Sequence, residues 1–224
     1  CIRDRMYLVE GNEKNVLIDT GSGFGSLKSA VDEVLAAHGN TNPLAVLLTH
    51  GHVDHANGSS EFVNAGIPVY LSEKDRYIYL QHSDDAFRKG GLGIEEFEGH
   101  GTYVEAEDYI PSAKFEELRN LTEGDTFELG GITIQTYACP GHTLGSMIFL
   151  IREDDGETYL LTGDACNTFT FLFQEYSTSI EEYEETLQKV AEQLRGKYTK
   201  VLLSHGDGNC LLYTSDAADD TPCV

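Results

Sequence analysis

Apolar and polar positions along the chain switch between two periods, and the order of the blocks predicts the architecture. Residues 6–10 and 16–19 are short apolar runs around Gly11-Asn12, the pattern of a β-hairpin. Thr20-Gly21-Ser22-Gly23 breaks the second run. Leu27, Ala30, Val31, Val34 and Leu35 then recur at helical spacing up to Gly39-Asn40. Pro43 precedes residues 44–48, a continuous apolar run of the kind buried on both faces of a sheet. Residues 67–71 predict another strand, and Ser72 an N-cap for a helix to about Leu80, with Glu73 and Asp75 favourable in its first turn. Residues 127–129, 132–138, 146–151 and 158–161 predict strands separated by Gly130-Gly131, Pro140-Gly141 and Asp154-Asp155-Gly156. Residues 179–194 predict the most distinct helix, with an acidic opening at Glu181, Glu182, Glu184 and Glu185. Its apolar stripe is Tyr183, Leu187, Val190 and Leu194, and its basic end is Arg195 and Lys197. Residues 201–203 read as a last strand. Strand blocks with helices between them predict an α/β fold with antiparallel pieces.

Residues 82–112 break this rhythm. They dissolve into Gly90-Gly91-Leu92-Gly93 and acidic residues, too long a stretch for an ordinary connection, and read as an insertion or lid over a site.

Composition narrows the partners. Lys and Arg total 15 against 38 Asp and Glu, a formal charge of −23. Nucleic acid and anionic membrane surfaces both need a basic face, so neither is an expected partner. No run approaches a bilayer span, and no basic segment followed by an apolar one opens the chain. An acidic cytoplasmic domain acting on a small molecule is the expectation, with the oligomeric state open. The five cysteines (Cys1, Cys139, Cys166, Cys210 and Cys223) are scattered, without a C-x-x-C pair or a disulfide framework. The opening Cys-Ile-Arg-Asp-Arg and the segment from Cys210 to Val224 resemble translated sequencing-adapter read-through. Residues 1–5 and 209–224 are therefore expected to be non-native ends on a domain spanning 6–208, truncated at both sides.

The chemistry is concentrated after the buried run at 44–48. Thr49-His50-Gly51-His52-Val53-Asp54-His55 places four metal-competent side chains within six positions. In an extended loop His50 and His52 point to the same side, while Asp54 and His55 face a second point nearby. Imidazole with carboxylate suits zinc, with iron or manganese as alternatives. Three later segments each carry one donor where an apolar strand runs out into a Gly-containing turn. They are Cys139-Pro140-Gly141-His142, Thr162-Gly163-Asp164 and Ser204-His205-Gly206. His38, His82 and His100 fall outside this pattern and read as surface or lid residues.

These motifs resemble those of the metallo-β-lactamase-fold hydrolase superfamily. Its H-x-H-x-D-H signature stands at His50, His52, Asp54 and His55; its later motifs match at His142, Asp164 and His205 in order, and its early Asp-Thr-Gly element at Asp19-Thr20-Gly21. The resemblance implies an αββα sandwich of two mixed sheets flanked by helices, with the site at one edge. It implies two zinc ions, one held by His50, His52 and His142, the other by Asp54, His55 and His205, with Asp164 bridging. Such a centre generates hydroxide from bridging water and polarises the attacked group. Asp54 is expected also to take the water's proton, and Asp19 either to orient a ligand imidazole or to be a simple turn residue.

Within the family, the early and late motifs are most similar to those of glyoxalase II, a hydroxyacylglutathione hydrolase. The implied activity is hydrolysis of a small thioester, ester or lactone. Two other readings remain: a mononuclear-iron enzyme similar to the persulfide dioxygenases, and an inactive truncated fragment. Cys166 reads as a small hydrophobe or a further metal contact. Tyr77, Tyr79, Tyr103, Tyr109, Phe169, Phe171 and Phe173 read either as core or as the wall of an apolar pocket.

Overall fold

A computed structural model of the chain describes residues 5–91, 108–154, 156–167, 170–172 and 175–205. Alternation along the strands divides their side chains between layers. In the first sheet, β1 (Tyr7–Glu10) and β2 (Asn15–Ile18) form the hairpin expected around Gly11-Asn12, with Tyr7 opposite Ile18. β3 (Leu44–Leu47), β4 (Val69–Leu71) and β5 (Arg119–Asn120) add in parallel, giving the order β1-β2-β3-β4-β5. The second sheet is an antiparallel meander of β6 (Thr126–Glu128), β7 (Ile132–Ala138), β8 (Met147–Glu153) and β9 (Thr158–Leu161). β10 (Lys200–Leu202) lies parallel to β9 at its edge.

Leu17 and Val46 pack outward against α1 (Leu27–Ala37), α3 (Ser59–Asn64) and α4 (Arg76–His82), meeting Val31, Leu35, Phe62 and Tyr79. Their neighbours Val16, Ile18 and Leu47 point the other way, into a layer shared with Ile134, Met147, Phe149, Ile151 and Leu161 of the second sheet. On that sheet's far face Ile148, Leu150 and Leu160 meet Val190 and Leu194 of α6 (Ile180–Leu194). The period of two thus builds three apolar layers from two sheets, and the order is helix, sheet, sheet, helix. Each side chain wholly removed from water here contributes about 1.5–3 kcal/mol before entropy is counted. Two of the helices begin at capping serines. Ser26 Oγ accepts the Ser29 N–H at the start of α1, and Ser179 and Glu182 form a reciprocal capping box on α6.

Two expectations need correction. The strand expected over 67–71 starts at Val69, after Pro68, which has no N–H for the ladder; the Pro68 carbonyl still accepts from Val46. The helix expected from Ser72 is two pieces, a 3-10 turn Glu73–Asp75 and then α4. Within the expected insertion, 82–112, lies the helix α5 (Asp85–Gly91). Residues 92–107 of the expected insertion lie outside the described residues, as do 1–4 and 209–224 of the expected foreign ends and 206–208 of the expected domain. Short elements escaped prediction: α2 (Val53–Ala56) and α3 are too brief for a helical period, and β5 is two exposed residues.

The architecture brings strand ends together. β2, β3, β7, β9 and β10 all run out at one edge of the sandwich, where Met147 N–H donates to the Thr49 carbonyl at 2.8 Å and joins the two sheets. None of the helices among the described residues is long and apolar enough to cross a membrane.

Candidate metal centre

Seven side chains from these strand ends converge. His50 follows β3 directly, and His52, with extended backbone, caps the N-terminus of α2, which carries Asp54 and His55. His142 sits in the turn after β7, Asp164 after β9 and His205 after β10. His50 Nε2 and His142 Nε2 each lie 2.8 Å from His52 Nδ1. His55 Nε2 is 3.0 Å from His205 Nε2. Asp164 Oδ2 stands between the two groups, 3.2 Å from His205 Nε2, 3.6 Å from His55 Nε2 and 3.7 Å from His142 Nε2. Asp54 Oδ2 is 3.4 Å from His205 Nε2 and 3.6 Å from His55 Nε2. The donor atoms of His50, His52 and His142 lie within 4.8 Å of one another, as do those of Asp54, His55 and His205, and those of His50, His55 and Asp164. All seven expected site residues are brought together.

The backs of the rings are tied down. His55 Nδ1 lies 2.8 Å from Asp19 Oδ2, and a carboxylate only accepts, so Nδ1 carries the proton and Nε2 faces inward. Thr49 donates its hydroxyl to Asp19 and accepts from His50 Nδ1 at 3.0 Å. His142 Nδ1 donates to the Phe171 carbonyl at 2.9 Å. Asp19 holds this place in a left-handed conformation, φ 63°, uncommon for a residue with a side chain. Asp19 is therefore more than a turn residue.

Burial, then the neighbouring imidazoles, pushes His50 well below its ordinary pKa. Burial, then His142 and His82, lowers His52 to about 3, and burial lowers His142. These three rings are neutral at neutral pH and turn ring nitrogens toward one another. Burial would lower His55 too, but the Asp19 carboxylate, with hydrogen bonds to Asp164 and Asp19, holds it well above the usual range. Burial opposes ionisation of Asp54, yet His205 and His55 draw it down to about 2. Asp164 is held far below the carboxylate range by hydrogen bonds from His205 and His55, against its burial. Neutral imidazole nitrogens converging at 2.8 Å, beside two ionised carboxylates, form a donor set that fits divalent cations.

Two neighbours were not anticipated. His82 is buried rather than a surface or lid residue, its ring stacked on His52 at 5.0 Å between centroids and on Phe87 at 4.6 Å. Its spacing from Ile78 and Tyr79, on the buried face of α4, was the available signal. Asp75, expected as a favourable charge in a helix's first turn, is buried at the junction of the 3-10 turn with α4. His38 is exposed and pairs with Glu10; His100 lies outside the described residues. Of the aromatics, Tyr79 is core, and Tyr109 packs on Phe24. Phe171 and Tyr77 are exposed, while Tyr103, Phe169 and Phe173 lie outside the described residues. Cys139 belongs to the core under α6, and the half-buried Cys166 is in none of the donor groups.

Comparison with known proteins agrees with this geometry. An uncharacterized protein of Mycobacterium leprae is 32% identical over 155 residues, 66% of this chain and 61% of that protein. The bovine acyl-coenzyme A thioesterase MBLAC2 is 26% identical over 223 residues, 91% of this chain and 73% of the enzyme. The Haemophilus influenzae hydroxyacylglutathione hydrolase GloC is 28% identical over 160 residues, 70% of this chain and 64% of the enzyme. The chain thus spans 61% of the length of the mycobacterial relatives that it matches. Among solved structures, a Cronobacter sakazakii metallo-beta-lactamase mutant superposes with a TM-score of 0.63 at 16% identity, covering 97% of this chain and 83% of that one. Residues 5–205 match the profile of the metallo-beta-lactamase superfamily, and with its αββα sandwich and converging histidine motifs the chain belongs to that superfamily.

Proposed function

We propose that this chain is a metal-dependent hydrolase that cleaves a small ester or thioester with two divalent ions, zinc in the first instance. The observation that carries the reading is the division of the seven donors into two sets. His50, His52 and His142 would hold one ion and Asp54, His55 and His205 the other, with Asp164 shared between them. When bound, such ions supply a water activated near neutral pH and polarise the scissile carbonyl.

The protein's own part is orientation and charge. Asp19 and Thr49 fix the tautomers of His55 and His50, and the Phe171 carbonyl fixes that of His142. Asp54 and Asp164, both ionised at neutral pH, offset the charge of two cations. A carboxylate held as low as Asp54 would be a ligand first and would take the proton of the attacking water only transiently.

An apolar rim favours an acyl substrate over a highly charged one. Leu144, two residues after His142, and Phe171, whose backbone carbonyl accepts from His142 Nδ1, are both exposed, and the Tyr176 ring lies 5.2 Å from that of His52. The named activities of the bovine thioesterase and of GloC are both thioester hydrolyses, which supports the same class. The test is elemental analysis of purified protein together with hydrolysis of acyl thioesters, esters and lactones. About two zinc ions per chain with thioester or ester turnover support the proposal. One iron with oxygen consumption on a persulfide replaces it with oxygen chemistry.

A further inference from the structure

Asp75 is 1% exposed, and its carboxylate is encircled by donors from two loops. Oδ2 accepts the Gly51 N–H and the Thr143 hydroxyl, each at 2.8 Å, and Oδ1 accepts the Gly145 N–H at 2.6 Å. Gly51 lies between His50 and His52, and Thr143 follows His142. One side chain therefore joins the two loops whose three histidines converge. The fit is close: a Cβ on Gly145 would stand 2.5 Å from Asp75 Oδ1, and one on Gly51 would stand 3.2 Å from the Asp75 carbonyl. Thr143 is braced in turn by Ser146, whose hydroxyl is 2.8 Å from that of Thr143 and accepts the Thr143 N–H at 3.1 Å.

We infer that Asp75 is a positioning residue for the His50–His52–His142 set, clasping the two loops so that their ring nitrogens meet at one point. Asp19 does the corresponding job for the other set through His55. Asp19 also backs His50 through Thr49, but among these carboxylates only Asp75 joins the His50–His52 loop to the His142 loop, and it does so through the loop backbone and Thr143. This inference rests on the two-set reading of the metal centre.

The surroundings of Asp75 suit positioning better than stability. Among the described residues it makes no ion pair, and all its partners are neutral. Burial pushes it up to about 6 in spite of the hydrogen bonds from Thr143, Gly51 and Gly145. Burying a carboxylate without a cation costs folding free energy, and a neutral isostere relieves that cost while leaving a buried donor unpaired, so the net change in stability is expected to be small. Asp75→Asn keeps the volume but offers one acceptor oxygen where two served three donors, and the loops lose their common anchor.

The test combines metal affinity with the stability of chelator-treated protein. In competition against a chromophoric zinc chelator, Asp75→Asn is expected to lose about 10–100-fold in affinity for one of two ions and to keep the other. Anomalous scattering at the zinc edge should locate the weakened ion at His50, His52 and His142. The thermal midpoint of the chelator-treated variant should stay close to that of the parent. Thr143→Val, which removes one of the three donors, should shift the same ion in the same direction by less. A parent chain that binds no zinc overturns the metal-centre reading and this inference with it. A parent that binds two ions, with Asp75→Asn indistinguishable or weakened equally at both, overturns the inference alone.

Discussion

Asp19 Oδ2 lies 2.8 Å from His55 Nδ1, and both side chains are almost wholly buried. The same carboxylate accepts the Thr49 N–H at 2.7 Å and the Thr49 hydroxyl. It thereby reaches the backs of two candidate ligands, His55 directly and His50 through Thr49. Such partners set the tautomer and basicity of a ligating imidazole.

Asp19→Asn tests this relationship. Asparagine tolerates the left-handed φ at this position, so the variant is expected to fold. Its affinity for the ion at Asp54, His55 and His205 should fall about 10–100-fold, with the other ion retained, when followed by competition against a zinc chelator. Equal loss of both ions would show that Asp19 supports the whole edge rather than one set.

Asp164→Ala and His52→Ala are expected to differ. Asp164 Oδ2 lies within 4 Å of His142, His55 and His205, so its removal should empty both sets and abolish hydrolysis. His52 belongs to one set, and His52→Ala should leave about one ion with activity lost. Elemental analysis of the two purified variants checks this. Full activity in either metal-depleted variant would overturn the hydrolase proposal.

Chelator-treated protein should be most stable near pH 6.5. His50, His52 and His142 are lowered in the folded state, so below 6.5 the unfolded chain binds protons that the fold refuses, and stability falls as pH falls. His55 is raised, so its contribution is present below 6.5 and is lost as pH rises through its folded pKa. Each group contributes a limiting slope of about 1.4 kcal/mol per pH unit within its window. Thermal midpoints between pH 5 and 9 test this, and Asp19→Asn should flatten the alkaline side. A profile rising monotonically to pH 9 would contradict the assignment of His55.

Phe171→Ala separates substrate binding from stability. The side chain is 57% exposed and its backbone carbonyl, not its ring, holds His142. The thermal midpoint should change little, by the equivalent of about 0.5 kcal/mol or less, while KM for an apolar acyl thioester rises severalfold at nearly unchanged kcat. A loss of stability with KM unchanged would assign the ring to packing.

The local sequence determined the layers and the seven candidate ligands. Strand residues alternate in runs that report their own burial, and each donor sits in a short motif where an apolar strand ends in a turn. The period carries Val16, Leu17 and Ile18 to opposite faces, and the same logic sends Met147 and Ile148 to different cores. What tertiary structure alone decided is which groups stand behind the ligands. Asp75 reaches Gly51 across 24 positions and Gly145 across 70, and His82 reaches His52 by packing of α4. The contacts of Asp75 leave no periodic or local trace, because a carboxylate that clasps two loops has the same sequence appearance as one that caps a helix. The convergence of His55 and His205, 150 positions apart, likewise exists only because β3 and β10 end at the same edge of the two packed sheets.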